Sequence, residues 1–477
     1  MLETIIKQMI NSRWIVMMGA LSICEFGVWN FQNLSIDAVP DITNVQVQIN
    51  TEAPGYSPLE SEQRITFPIE TTLAGLPQLS YTRSLSAYGL SQVTVVFEEG
   101  TDIYFARNLV NSRLSAIKNQ LPANLEPEMG PISSGLGEIF MYTVSAEAGA
   151  LQSNGEPYDL FALREIQDWI IKRQLILVDG VTEVNTSGGF EKQYHVKPDP
   201  AKMLLWGITL PELLSALRDN NINQGAGYIE RNGQQLMVRS PGQLKTIADI
   251  EQVSILSRNS IPVRVKDVAE VSIGKELRTG AGTHSGQEAV IGTAFMLLGE
   301  NSRTVAREVA AKLEEINTTL PDGVVAEPLY DRTVLVDNAI ATVEENLVVG
   351  ALLVVVVLFL LLGNIRAALI TATVIPISML ATISGMVETG VSANLMSLGA
   401  LDFGIIVDGA VIIVENSIRR LGMATHGSKV LSLKERLQVV YEATNEVIRP
   451  SLFGVAIITL VYIPIFSLTG IEGKMFH

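Results

Sequence analysis

Five charge-poor runs, Trp14 to Phe31, Leu347 to Leu362, Ala367 to Val387, Val391 to Val414 and Ser451 to Leu468, constrain this chain most. Each is roughly 16 to 24 residues long, against the roughly 20 that a helix needs to cross a hydrocarbon core. With 47% hydrophobic and only 18% charged residues, the 477-residue chain is too apolar for an ordinary soluble protein of its size, and a membrane component is expected. Lys7 and Arg13 precede the first run as in a signal peptide, but Glu25 interrupts it and no small-residue cleavage site follows. It reads as an uncleaved first transmembrane helix.

The loops between these runs are biased in charge. Arg419, Arg420, Lys429, Lys434, Arg436 and Arg449 fall in one connection, and Arg366 in the Leu362 to Ala367 turn, which places both on the cytoplasmic side. The connection around Gly385 to Ser392 has Glu388 and neither Lys nor Arg, and faces outward. Alternation then puts the N-terminus inside, and residues 32 to 337 and the tail after Leu468 outside. The formal charge of −16 argues against a nucleic-acid partner, which would require clustered Lys and Arg, and suits cationic cargo better.

The large external segment has an α+β pattern. Val45, Val47 and Ile49 alternate with Gln46 and Gln48 as in a half-buried strand, and Ser57-Pro58-Leu59-Glu60 opens a helix with a capping box. Strand-like Gln92 to Phe97 precedes a helix with Ile103, Ala106, Val110, Leu114 and Ile117 on one face, so the order is strand, helix, strand, strand, helix. A second set comprises strand Ile139 to Val144, the helix around Phe161 to Leu175, strand Val181 to Asn185, strand Ala289 to Leu298, a helix capped by Ser302 and running to about Asn317, and strand Val324 to Leu329. Between its halves, Gly188 to Gly286 is rich in short β patterns such as Ile261 to Val271 and reads as an inserted domain.

The segment Leu401 to Asn416 places acids inside an apolar helix: Asp402, Asp408 and Glu415. An aspartate at such a position costs at least about 2.5 to 3.5 kcal/mol on insertion scales, a penalty usually met at functional sites. At about 100° per residue, Asp408 and Glu415 lie on nearly the same face and Asp402 about 120° away, with about 9 Å of rise between the aspartates. Low dielectric disfavours the charged form of a carboxyl group, so a change in hydration lets it take up a proton on one side and release it on the other. The alternative is that these acids hold helices together through polar contacts. An intramembrane aspartyl protease would need a second facing aspartate on another helix. The lone Cys24 cannot form an internal disulfide, and the scattered His195, His284, His426 and His477 exclude a zinc-finger or HExxH site.

The motif DFGIIVDGAVIIVEN (Asp402 to Asn416) and the segment IDAVPDITNVQVQINTEAPG (Ile36 to Gly55) resemble the resistance-nodulation-division transporters, within them the heavy-metal efflux branch, cobalt-zinc-cadmium type. The resemblance covers essentially the whole chain. It implies an α-helical membrane domain with an α+β periplasmic porter of ferredoxin-like βαβ subdomains and an inserted docking domain. By it, transmembrane helix 1 takes residues 1–32, porter subdomain 1 takes 33–135, subdomain 2 takes 136–186 with 287–333, the docking domain takes 187–286, and helices 2–5 take 334–477. It further implies a homotrimer in the Gram-negative inner membrane, joined to a periplasmic adaptor and an outer-membrane channel. Asp402, Asp408 and Glu415 become proton-relay or cation-translocation positions, and Glu138 and Asp168 the candidate metal ligands of the periplasmic cleft. For these last two the plain reading is a solvated loop Glu and a helix-surface Asp.

The function so implied is proton-driven efflux of divalent zinc, cobalt, cadmium or nickel by a secondary transporter, with the metal as cargo and no resident cofactor. Drug-exporting relatives carry adjacent aspartates, whereas Gly409 follows Asp408 here. Copper and silver exporters of the branch stack methionine sulfurs, and Met396 is followed by none between Leu398 and Val414; Met379 and Met386 read as packing residues. Family members have two homologous halves, and this chain ends after about five helices, so a separately encoded or fused C-terminal half is expected. The alternatives are an inactive truncated remnant and a multidrug-type exporter of the same superfamily.

Overall fold

The alternating stretch at Val45 becomes the strand Gln46–Glu52, with Val47, Ile49 and Thr51 fully buried and the residues between them half-buried. The computed structural model describes residues 2–33, 36–37, 42–240, 242–258, 261–278, 280–389, 393–394, 403–425, 431–468 and 470–476. Ser57 caps the next helix as expected: its hydroxyl accepts the Glu60 N–H while the Glu60 carboxylate accepts the Ser57 N–H, and Pro58 fills the first turn. This helical stretch, 58–73, widens to a π-helical turn at Glu62–Thr66, and Ile65, Ile69 and Leu73 face the sheet.

The sheet runs Leu79–Ala87, Leu90–Phe97, Gln46–Glu52, Pro127–Met129, with every neighbouring pair antiparallel. Helix Ile103–Ile117 packs beside the first on the same face, burying Ala106, Val110, Leu114 and Ile117. In chain order the strands lie 2-3-1-4, the split βαβ arrangement of ferredoxin-like folds.

The second unit repeats this plan. Its sheet runs Val324–Asp331, Glu138–Ala146, Val290–Met296, Val181–Ser187, again antiparallel throughout and again 4-1-3-2 in its own chain order. Helical residues 160–175, with a π-helical turn at Gln167–Ile171, and helix Ser302–Asn317 cover one face. Ile139, Phe140, Tyr142, Ile171, Leu175, Val309 and Ile316 form its core. The cap of the second helix is Asn301 rather than Ser302: its side-chain oxygen accepts the Arg303 and Thr304 N–H groups, and Ser302 is buried in the first turn.

The insert joins this unit through the antiparallel pair Lys192–Pro198 and Ala269–Lys275. The β pattern from Ile261 to Val271 is interrupted by one helical turn, Val265–Val268, because the Asp267 carboxylate takes the Arg264 N–H at 2.8 Å and bends the chain. Val263, Val265, Val268, Leu213 and Ile250 bury a separate apolar core.

Among the described residues three helical stretches are long and apolar enough to cross a membrane: Arg13–Phe31, Ile365–Thr389 and Leu433–Ser467. The run from Leu347 forms the end of the longer helix Arg332–Leu362. Of the run from Val391, the part before Phe403 lies outside the described residues apart from Ala393–Asn394, and the rest enters helix Phe403–Ala424. The turn at Arg366 is sharp: Gly363 adopts a left-handed conformation (φ 60°) and Asn364 caps the next helix. Residues 433–450, read from sequence as a polar connection, are helical. Ser432 and Glu435 form a capping box, and the helix continues through Pro450 to Tyr462. Met379 and Met386 pack in apolar clusters beside Ile375 and Ile383 respectively, as packing residues should.

Candidate functional site

Asp408 stands exposed on helix Phe403–Ala424, and Asp402 lies outside the described residues. Glu415 is exposed on the same helix, seven residues further, or about 10 Å along the axis, so the structure does not bring these two acids together. Asp408 instead lines a cavity of about 340 Å³ between this helix and Leu433–Tyr462, whose other wall runs from Glu446 to Ile458.

At the lower end of that helix pair, polar side chains interlock. The buried Asn416 donates from Nδ2 to the Ala443 carbonyl at 2.8 Å and to Glu446 Oε2 at 3.2 Å. Arg420 grips the same Glu446 oxygen from Nε and a terminal nitrogen at 3.0 and 2.8 Å, and Arg419 donates to Asn416 Oδ1 at 2.7 Å. Sequence reading missed Glu446, because its partners lie on another helix; a glutamate four residues before a proline inside a helix was the one signal available.

The external candidates are apart in role. Glu138 is exposed at the start of strand Glu138–Ala146, opposite Phe295 where the pairing shifts register. Asp168 lies in the π-helical turn with both oxygens engaged: Oδ2 accepts from Arg164 Nε at 2.6 Å and Oδ1 from the Thr186 hydroxyl at 2.6 Å. Arg164 also donates to the Gly188 carbonyl at 2.8 Å, so Asp168 orients a residue that holds the exit towards the insert. Burial pushes the phenol of neighbouring Tyr142 above the ordinary tyrosine range. Among the described residues no three of His, Cys, Asp and Glu converge as a metal-binding group.

Carboxylates also gather where the units meet. A cavity of about 730 Å³ between the edge strands of the two sheets is lined by Glu52, Glu126, Glu128 and Glu183, of which Glu126 is paired with Lys118 at 2.9 Å. Where the chain crosses into the insert, the Glu276 N–H donates to the Glu191 carbonyl at 3.2 Å. Burial, then the Glu191 carboxylate and Glu52, hold the Glu276 carboxyl above the usual glutamate range, while Arg164 opposes the shift.

Residues 5–477 match the AcrB/AcrD/AcrF family. The chain is 62% identical to Protein HelA of Legionella pneumophila and 57% identical to the cobalt-zinc-cadmium resistance protein CzcA of Cupriavidus metallidurans, covering 100% of itself and 45% of each relative. It therefore spans about half the length of the curated relatives it matches. The X-ray crystal structure of a heavy metal efflux pump superposes with a TM-score of 0.88 at 33% identity, over 99% of this chain and 45% of that one.

Proposed function

Because the chain belongs to the AcrB/AcrD/AcrF family, a family of transporters, we infer that it forms part of an inner-membrane pump that exports divalent heavy-metal cations in exchange for protons. The observation that carries this reading is Asp408, an acid on an apolar helix beside a cavity that reaches a second charged group. Proton uptake neutralises its carboxylate and proton release restores it, and either change alters how the surrounding helices are solvated. Asp402 and Glu415 extend the series of exchangeable protons along the helix.

Similarity to CzcA, a cobalt-zinc-cadmium resistance protein, favours zinc, cobalt or cadmium as cargo. The repeated split βαβ units, at 33–135 and at 136–186 with 287–333, serve as the periplasmic porter, and 187–286 as the docking domain. In this reading the chain works as a homotrimer with an adaptor, an outer-membrane channel and the remaining half that such pumps carry. Glu138, exposed and free to face a cleft, is the stronger candidate for contact with the metal, since Asp168 is committed to Arg164 and Thr186.

The test is Asp408→Asn in a pump-deleted Gram-negative host carrying the native gene product and any adjacent partner reading frame. Zinc, cobalt and cadmium tolerance should be lost while the protein level in the membrane is unchanged. Undiminished tolerance would remove the proton-coupling role.

A further inference from the structure

The first helix, Leu2–Asn11, is two-faced. At about 100° per residue, Leu2, Ile5, Ile6, Met9 and Ile10 fall within an arc of about 140°, and Glu3, Thr4, Lys7, Gln8 and Asn11 fill the remainder. Ten residues are fewer than a helix needs to hold its shape alone in water, so the apolar face requires cover. Among the described residues nothing supplies it fully: no residue of the helix is buried, and Leu2, Ile5 and Met9 are 38%, 47% and 53% exposed.

Both ends of this helix stand at one membrane boundary. At its C-terminal end the chain turns at Ser12, whose carbonyl accepts the Ile15 and Val16 N–H groups at 2.9 and 3.2 Å and so opens a new helix, the apolar span from Arg13. Arg13 is the last basic residue before the apolar run, and Trp14, 69% exposed, suits the interfacial layer where indole rings gather. At the N-terminal end Glu3 pairs with Arg449 at 2.8 Å, and Arg449 is the last charge before the apolar run from Ser451. A helix continuing the axis of the span would carry Glu3 about 15 Å beyond Arg13, to the level of Val439 on the projecting part of helix Leu433–Tyr462. The pair with Arg449 instead keeps Glu3 at the boundary, so the helix runs along it.

An apolar stripe held level with the start of two apolar runs has one medium to enter, the layer between lipid headgroups and acyl chains. We propose that Leu2–Asn11 is an interfacial helix seated on the cytoplasmic leaflet, with Leu2, Ile5 and Met9 among the upper acyl carbons and Lys7 and Arg13 at the headgroup phosphates. The side of the membrane follows from the charge bias of the loops. Lys7 and Arg13 suit the negative surface potential of that leaflet, and Glu3, the one acid of the helix, is neutralised by Arg449. The helix thereby straps the inner ends of the spans from Arg13 and Leu433 to a single lipid layer. Neither span can shift along the membrane normal without dragging an apolar face through the headgroups.

The experiment is spin-label collision accessibility in vesicles of phosphatidylethanolamine and phosphatidylglycerol. It uses the native gene product with its cysteines, Cys24 of this chain included, replaced by serine. Labels at Ile5→Cys and Met9→Cys should collide freely with oxygen, and several-fold less often with a water-soluble nickel chelate than labels at Thr4→Cys and Gln8→Cys. Both should sit at one depth, shallower than a label at Ile23→Cys, midway along the following helix. Frequent nickel collision at all four positions would mean a helix standing in water and would overturn the proposal. Exclusion of oxygen and nickel alike at Ile5→Cys and Met9→Cys would mean a protein cover, a second copy or the remaining half that the relatives carry, and would overturn it equally. With the label at Leu2→Cys, the pair Ile5→Asp and Met9→Asp should raise nickel collision several-fold, whereas Arg449→Ala should leave it unchanged, because an exposed ion pair contributes little. Continued exclusion in the aspartate variant, or release by Arg449→Ala alone, would show that the apolar face is not what holds the helix to the lipid.

Discussion

The side-chain amide of Asn416 donates to the backbone carbonyl of Ala443 at 2.8 Å, so one membrane helix is hydrogen-bonded to the backbone of the next. The same amide nitrogen reaches Glu446, and both arginines that follow Asn416 close over the pair. Asn416 is buried between the two helices, where an unmatched amide has no water to turn to, which makes such a contact a determinant of how they meet.

Asn416→Ala should therefore loosen this helix pair by about 1 kcal/mol, the usual net worth of a buried hydrogen bond. Denaturant titration of the purified protein in detergent would read the loss, and Asn416→Gln should not fully restore it because its longer side chain misplaces the amide.

At Asp168 two roles give opposite results. If it orients Arg164, Asp168→Asn should cost about 1 to 3 kcal/mol locally, as expected for a half-buried charged hydrogen bond. Amide exchange in residues 160–175 would speed up accordingly. Loss of metal tolerance with unchanged exchange would instead mark Asp168 as a ligand.

The Glu276 carboxyl holds its proton more tightly in the folded chain than an ordinary glutamate, through burial first and then Glu191 and Glu52, against the opposing Arg164. Its favourable contribution is complete below the ordinary glutamate value and is lost as the pH rises through the raised one. Glu276→Gln should be more stable than the parent at neutral pH, by under about 1 kcal/mol at this exposure, and no different below about pH 4. Thermal unfolding at both pH values checks the sign; a variant that is destabilised at neutral pH would contradict it.

The parts legible in sequence are those fixed by neighbours along the chain. The alternation at Val45 to Ile49 specifies one buried strand face, and Ser57 with Glu60 specifies a helix start, because each depends on spacings of two or three residues. The helix from Leu433 was hidden for a physical reason. Lys434, Arg436, Glu442 and Arg449 lie on the part that projects from the apolar run, and hydropathy reports contact with lipid rather than helicity. Asp408 was visible as an acid out of place, whereas Glu446 gains its meaning from Asn416 and Arg420, 30 and 26 residues earlier in the chain.

Strand Val324–Asp331 passes directly into helix Arg332–Leu362, with Asp331 accepting the Thr333 N–H at 2.8 Å and no loop between them. Thirty-one residues make a rod of about 46 Å, some 16 Å longer than the hydrocarbon core. Its projecting base is bolted to helix Ser302–Asn317, where Arg303 and Arg307 both hold Asp337, at 2.6 and 3.0 Å. A hinge at this junction would let the sheet idle while the membrane end moved. Without one, a tilt of about 5° about the membrane surface moves the membrane end by about 3 Å and the projecting base by about 1 Å the opposite way, so the rod acts as a lever.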